Sequence, residues 1–138
     1  MRIVLDTNVL VSALLTPHGS PARILDLIRQ NKLKLCFDTR IMEEYEEVLK
    51  RQEFNFSNED ITTLLDFLQE NGEVISSLPL IDRLPDPDDE PFLEVALSGR
   101  TDVLVTGNIK HYPAELRCGV EVTVPTEFLD HWRKNQPS

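Results

Sequence analysis

Four places along the chain carry oxygen-bearing side chains of the kind that bind divalent metal ions. They are Asp6, Glu44, Asp89 and the segment Thr106-Gly107-Asn108. Carboxylates packed together repel one another, which raises their proton affinity unless a cation intervenes. Carboxylate and amide oxygens, with water completing the coordination shell, suit Mg²⁺ or Mn²⁺. One or two such ions can polarise a phosphoryl oxygen and generate hydroxide from bound water, so these residue types point to metal-dependent cleavage of a phosphodiester.

Asp6 is the most informative of these residues because of its place in the sequence. It closes the apolar run Ile3-Val4-Leu5 and opens the turn Asp6-Thr7-Asn8, which leads into Val9-Leu10-Val11. A carboxylate between a strand and a helix lies at the carboxyl edge of a sheet, where ligands bind in open α/β folds. We therefore expect Asp6 to lie at the centre of the site.

Helical periodicity places Glu44 and Asp89. Residues 40–51 predict a helix with an apolar stripe, and at roughly 100° per residue Glu44 falls at the rim of that stripe. The other glutamates of this helix point further toward solvent: Glu43, Glu46 and Glu47. In the acidic loop of residues 86–90, Asp89 precedes Phe92 and Leu93 at helical spacing, which places it on the inward side of the next helix.

The loop of residues 86–90 also has a simpler interpretation. Carboxylates at a helix N-terminus complement the macrodipole and Pro91 suits the first turn, so capping is expected to explain some of these acids. A calcium loop is excluded, because Pro91 stands where such a loop needs glycine and Leu97 where it needs glutamate. The histidines are scattered, and we expect loop or surface positions rather than zinc ligation for them: His18, His111 and His131.

The elements that must position these residues alternate between strands and helices. Strands are predicted over residues 2–6, 33–37, 73–76, 102–106 and 121–124. Helices are predicted over residues 9–15, 39–51, 92–97 and 127–134, with Asp38 as the cap of the second of these. Another helix is predicted to start from Ser20 as N-cap, with Pro21 at its first position. A further helix is predicted from a cap at Ser57 or Asn58 to residue 71. Right-handed crossovers then give a three-layer α/β/α fold with a central parallel sheet of about five strands in the order 3-2-1-4-5. This order makes Asp6 and Thr106-Gly107-Asn108 neighbours at the switch point.

The composition predicts a single domain over residues 1–134 and a disordered tail over residues 135–138. With 41% hydrophobic and 28% charged residues, and no membrane span or signal peptide expected, we predict a cytoplasmic protein. The cysteines form neither a metal-binding spacing nor a disulfide framework, and Cys36 is expected in the core. The net charge of −10 argues against broad attraction to a phosphate backbone. It reflects either simple solubility or acids concentrated to hold cations that then meet the phosphate.

The acidic segments resemble those of PIN-domain ribonucleases. The run Ile3-Val4-Leu5-Asp6-Thr7-Asn8-Val9-Leu10 is similar to the opening strand and turn of that family, and residues 43–49 are similar to its second acidic segment. Residues 86–96 resemble the third segment, and Val105-Thr106-Gly107-Asn108 resembles the fourth. The four segments occur in order over nearly the whole chain, and the likeness is greatest to toxins of prokaryotic toxin–antitoxin pairs.

The resemblance implies a PIN-like fold and an endoribonuclease that hydrolyses RNA with one or two Mg²⁺ or Mn²⁺ ions. It implies Asp6, Glu44 and Asp89 as the catalytic metal ligands. Supporting roles fall to Asn8, which would order the site, to Thr106 near the ion, and to Asn108 and Asp86. Many family members carry aspartate where this chain has Asn108. This departure weakens a second metal site, and Asp86 or Asp88 would compensate for it.

The implied partners are RNA, a small antitoxin protein that occludes the acidic groove, and a second copy of the chain in a homodimer. Basic side chains near helix starts and loop mouths are candidates for RNA contact, chiefly Arg23, Arg40 and Lys110. Each of them also fits an ordinary surface charge.

Two other functions share features with this sequence. A phosphatase with a nucleophilic aspartate needs a second aspartate two residues later, and Asn8, which occupies that place, cannot exchange the proton. A PIN-like module that binds RNA or a protein without cutting is favoured by Asn108 and by the net charge of −10. The three retained acids argue against it, because a pure scaffold has no physical reason to keep carboxylates that repel one another.

Overall fold

Five parallel strands form the central sheet of the computed structural model, which describes residues 1–136. They are β1 (Arg2–Leu5), β2 (Lys34–Phe37), β3 (Glu73–Val74), β4 (Val103–Val105) and β5 (Val122–Thr123). Their spatial order is β3-β2-β1-β4-β5, and every pairing is parallel. The predicted order 3-2-1-4-5 is therefore confirmed. The continuous apolar runs of β1 and β4 are explained by their central position, since helices cover both faces of the sheet there.

Helices fill the outer layers of this three-layer α/β/α fold. Within the described residues they are α1 (Thr7–Leu15), α2 (Ser20–Arg29), α3 (Thr39–Leu49), α4 (Asn58–Asn71), α5 (Glu90–Ser98) and α6 (Pro125–Lys134). Two predicted caps are confirmed. The Asp38 side chain accepts a hydrogen bond from the backbone N–H of Ile41, and the Ser57 hydroxyl accepts one from that of Asp60. Each cap satisfies a helix N-terminal donor that would otherwise lack a partner.

Four helix starts differ from the prediction by one or two residues, and among them α5 begins at Glu90 rather than at residue 92. α1 begins at Thr7, because β1 ends at Leu5 and the extended Asp6 is itself the N-cap residue. α2 has Gly19 rather than Ser20 at its N-cap, so Pro21 falls in the second helical position. α6 begins at Pro125 rather than at residue 127. Proline lacks the N–H that is unsatisfied in a first turn, and its fixed φ suits a helix there.

Burial agrees with the predicted apolar pattern. The strands β1, β2 and β4 form the centre of the core, and Cys36 is buried as expected. The Tyr45 hydroxyl donates a hydrogen bond to the backbone oxygen of Leu5 and so ties α3 to the end of β1. In residues 1–136 no helix is long and apolar enough to cross a membrane. The predicted tail lies partly outside the described residues, so the boundary of the domain at residue 134 stays a prediction.

Candidate active site

Asp6 lies at the carboxyl end of β1, where α1 begins. Its backbone N–H donates to the Val105 oxygen at 2.9 Å, which fixes β1 against β4 at this point. One carboxylate oxygen, Oδ2, accepts hydrogen bonds from the Thr106 hydroxyl at 2.8 Å and from the Tyr112 hydroxyl at 3.1 Å. Burial raises the pKa of Asp6, and these two hydrogen bonds oppose that rise because they favour the charged form. The carboxylate is thus held in one orientation at a cost in solvation.

Glu44 occupies the predicted position on α3. It is half-buried, whereas Glu43, Glu46 and Glu47 are exposed, so the periodicity argument is confirmed. The Thr7 hydroxyl, on the first turn of α1, donates a hydrogen bond to Glu44 Oε2. Burial raises the pKa of Glu44, and the negative charge of Asp6 raises it further. Glu44 and Asp6 therefore lie close enough to repel each other.

Asp89 lies just before α5 and is buried, as its spacing to the next apolar residues predicted. Among the described residues its oxygen Oδ2 has no hydrogen-bond partner. The His111 ring nitrogen Nδ1 comes within 3.0 Å of that oxygen, but the contact lacks hydrogen-bond alignment. Burial, followed by the charge of Asp6, raises the pKa of Asp89 to about 6. Asp6 thus acts electrostatically on both of the other acids.

The segment after β4 closes the site beside Asp6. Thr106 is fully buried, and its hydroxyl accepts a hydrogen bond from the Asn108 backbone N–H at 3.0 Å. The Asn8 side-chain oxygen accepts one from the Gly107 N–H at 2.9 Å. A Cβ at residue 107 would lie 3.1 Å from that same oxygen, so glycine allows the close approach. Asn108 itself is exposed, and its side chain lies at the rim.

The remaining predicted residues are two acids of the loop before α5 and three basic side chains. Asp86 and Asp88 are exposed, and Asp86 accepts a hydrogen bond from the Asp88 N–H at 2.9 Å, so capping explains Asp86. Arg40 is exposed, and its guanidinium pairs with Asp38 at 2.6 Å and with Glu94 at 2.7 Å. Arg23 and Lys110 are exposed on α2 and on the short 3-10 turn of residues 109–111.

Two other acids of α5 are buried as deeply as Asp89 but have partners. Glu90 accepts hydrogen bonds from the Arg83 guanidinium and from the Leu84 backbone N–H, each at 3.0 Å. Glu94 accepts one from Arg40 and one from the Leu80 backbone N–H at 3.0 Å. The hydrogen bond from Arg83 lowers the pKa of Glu90, whereas burial raises the pKa of its neighbour Asp89.

Sequence reasoning missed Tyr112, His111 and Thr7. Tyr112 is fully buried, and its hydroxyl reaches Asp6 from a segment without helix or strand periodicity. His111 was expected at the surface, and it is exposed there, yet it also touches Asp89. The signal that could have found both is their place, directly after the segment that follows β4. An aromatic residue and a histidine there lie at the same sheet edge as Asp6.

The donor set fits a hard divalent cation. The three acids offer the carboxylate oxygens that Mg²⁺ and Mn²⁺ prefer. A buried carboxylate oxygen without a partner, such as Asp89 Oδ2, costs free energy that a cation would offset. Over residues 1–136 no three carboxylate, imidazole or thiol groups are already close enough to share an ion. An ion would therefore have to draw the acids together, as expected for carboxylates that repel one another without it.

Comparisons with known proteins agree with this geometry. Residues 2–110, which include all four acidic segments, match the family model described as PIN domain. An uncharacterized protein of Methanocaldococcus jannaschii is 26% identical over an alignment 144 residues long, gaps included. The alignment covers 97% of this chain and 93% of that protein. The fold is similar to that of a chain in the crystal structure of VapBC2 from Rickettsia felis bound to a DNA fragment from their promoter. That match has a TM-score of 0.60 at 18% identity and covers 90% of this chain and 98% of the other.

Proposed function

Since the chain belongs to the PIN-domain family, we propose that it is an endoribonuclease that hydrolyses RNA phosphodiester bonds with one or two Mg²⁺ or Mn²⁺ ions. Asp6, Glu44 and Asp89 are the proposed metal ligands. The observation that carries the proposal is the buried Asp89 Oδ2, which lacks a hydrogen-bond partner among the described residues. A protein that used this acid only for folding would be expected to give it a partner, as it does for Glu90 and Glu94.

The residues around the acids have positioning roles in this proposal. When bound, the ion supplies electrostatic stabilisation of the phosphate and a water of lowered pKa. Thr106 and Tyr112 orient the Asp6 carboxylate, and Thr7 orients that of Glu44. Asn8 holds the Gly107 backbone, which keeps the loop after β4 closed against the site. Asn108 and Asp86 lie at the exposed rim, where they could contact RNA or the water around the ion.

We further propose that the chain is the toxin of a toxin–antitoxin pair. The likeness of the four acidic segments to such toxins supports this role, as does the fold shared with a chain of the VapBC2 complex. On this proposal a small antitoxin covers the acidic groove, the toxin is a homodimer, and both act in the cytoplasm. Arg23 and Lys110 are the exposed cations proposed to contact RNA. Arg40, which is paired with two acids, would have to exchange a partner to do so.

A second candidate is a PIN-like module that binds RNA or a protein and cuts weakly or not at all. The neutral, exposed Asn108 favours it, because a neutral amide supports a second metal ion less well than a carboxylate. The net charge of −10 favours it as well.

The test compares the wild type with Asp6→Asn and with Glu43→Gln. Glu43 is exposed on the same helix as Glu44, so its variant controls for the loss of one acid. Calorimetry measures Mg²⁺ and Mn²⁺ binding, and the same samples are assayed for RNA cleavage. We expect Asp6→Asn to lose metal binding and at least about 10²-fold in cleavage rate. It should still fold, because an amide oxygen can accept the hydrogen bonds of Thr106 and Tyr112.

The outcomes separate the two candidates. Equal cleavage by Asp6→Asn and the wild type would refute the site. Metal binding by the wild type without cleavage would favour the non-cutting module. Absence of metal binding would mean that the acids serve only as caps and surface charge.

A further inference from the structure

The short turn after β4 brings two consecutive side chains against two of the proposed metal ligands. Tyr112 reaches Asp6, and His111 reaches Asp89, with 3.0 Å between its Nδ1 and Asp89 Oδ2. The turn is braced by backbone hydrogen bonds from His111 to Asn108 and from Tyr112 to Ile109. Arg117 also donates a hydrogen bond to the Tyr112 backbone oxygen at 2.7 Å. The position of His111 is therefore built into the fold.

The contact between His111 Nδ1 and Asp89 Oδ2 is close and polar but lacks the alignment of a good hydrogen bond. The two atoms are at hydrogen-bond distance, yet Oδ2 is left without an aligned donor and is buried. A separation of 3.0 Å is short enough for both atoms to bind one ion. The spacing suits a metal ion shared by the imidazole and the carboxylate.

We propose that His111 is a metal ligand of this site and biases it toward Mn²⁺ over Mg²⁺. The inference rests on the proposed function, because it requires that Asp89 bind the ion. Imidazole is a favourable ligand for first-row transition ions, whereas Mg²⁺ prefers carboxylate oxygens and retained water. With neutral Asn108 at the fourth acidic segment, His111 supplies a protein ligand from the same loop without adding a negative charge.

The alternative is that His111 forms only an ion pair with Asp89 and does not bind the metal. Its side chain is 44% exposed, so such a pair would be weak. The two readings differ in what they predict for metal selectivity. A ligand helps Mn²⁺ more than Mg²⁺, whereas removal of a charge partner changes the affinity for both ions by a similar factor.

The test is calorimetric titration of Mn²⁺ and Mg²⁺ into the wild type, His111→Gln and His131→Gln. His131 is exposed on α6 and controls for the loss of a histidine. We expect His111→Gln to lose at least about tenfold in Mn²⁺ affinity. Its Mg²⁺ affinity should change little, because water can take the place of the imidazole. His131→Gln should match the wild type for both ions.

Pulsed electron paramagnetic resonance of the Mn²⁺-loaded protein gives a readout independent of activity. We expect nitrogen coupling from imidazole in the wild type, its change on ¹⁵N labelling of histidine, and its loss in His111→Gln. Mn²⁺ binding without nitrogen coupling, or equal loss of both affinities in His111→Gln, would overturn the role of His111 and leave the proposed nuclease intact. Failure of the wild type to bind either ion would overturn both proposals.

Discussion

Three acids in α5 and at the residue before it are buried to the same degree but differ in their hydrogen bonds. Asp89, Glu90 and Glu94 are 8%, 7% and 7% exposed. Glu90 and Glu94 each accept hydrogen bonds from an arginine and from a backbone N–H, whereas Asp89 Oδ2 has no such partner among the described residues. Burial alone therefore does not mark a functional acid in this protein. Asp89 differs because no donor of the described residues is aligned to hydrogen-bond its Oδ2, although His111 Nδ1 lies 3.0 Å away.

The partnered acids have a structural task that explains their burial. The backbone donors of Leu80 and Leu84 belong to the irregular segment between β3 and α5, residues 75–86. Glu94 and Glu90 accept these donors and so hold that segment against α5. Charge-assisted hydrogen bonds of this kind are among the stronger ones in proteins. The same helix thus fixes a loop with two acids and presents the third to the site.

The largest expected effect that sharpens this contrast comes from Asp89→Asn. We expect cleavage to fall by at least about 10²-fold, because a ligand of the ion is lost, while the protein keeps its fold. The metal-free variant should be at least as stable as the wild type, since burial raises the pKa of this carboxyl and its charge opposes folding. RNA cleavage and urea unfolding measure the two effects. Strong destabilisation with cleavage retained would make Asp89 a structural acid like its neighbours.

Glu94→Gln is expected to show the opposite pattern. It weakens the hydrogen bond with the half-exposed Arg40, and we expect the free energy of unfolding to fall by about 1–2 kcal/mol. Mn²⁺ affinity should stay at the wild-type value, because Glu94 is not a proposed ligand. Urea unfolding and calorimetry test both statements. Loss of metal affinity in this variant would break the distinction between the two kinds of acid.

The smallest expected effect is a pH dependence. Protons compete with the metal for Asp89, whose pKa is raised to about 6, so apparent Mn²⁺ affinity should rise at least about tenfold from pH 5 to pH 7. In the metal-free protein the stability due to protonated Asp89 is complete below its ordinary pKa, near 3.8, and is lost as the pH rises through about 6. Calorimetry at several pH values measures the dependence of Mn²⁺ affinity on pH. Glu94→Gln is the control and should show the same dependence as the wild type. A flat affinity over that range would contradict it.

The sequence was sufficient to predict the sheet order and the burial of Glu44 and Asp89 relative to their neighbours. Continuous apolar runs identified the central strands, and helical spacing placed Glu44 at the rim and Asp89 inward. Both kinds of inference rely on periodicity, which is reliable inside regular elements. The roles of the acids as metal ligands stay a prediction.

What the sequence could not predict lies in irregular segments. Tyr112 and His111 occupy a short turn, and the donors to Glu90 and Glu94 come from a loop, so no period of two or 3.6 residues indicates where their side chains point. The acidic cluster of residues 86–90 also looks uniform in sequence. Only the three-dimensional contacts show that Asp86 is a cap, that Glu90 holds a loop and that Asp89 lacks a hydrogen-bond partner among residues 1–136.

The pairing of β1 with β4 at the centre of the sheet has a consequence for folding during synthesis on the ribosome. Asp6 follows the first strand of the sheet, but its partners Thr106 and Tyr112 follow 100 and 106 residues later. A growing chain shorter than this holds the acids without the strand that completes the sheet edge, and a domain generally folds as a unit. The site therefore cannot form before residues 103–112 have been synthesised, because they supply β4, Thr106 and Tyr112.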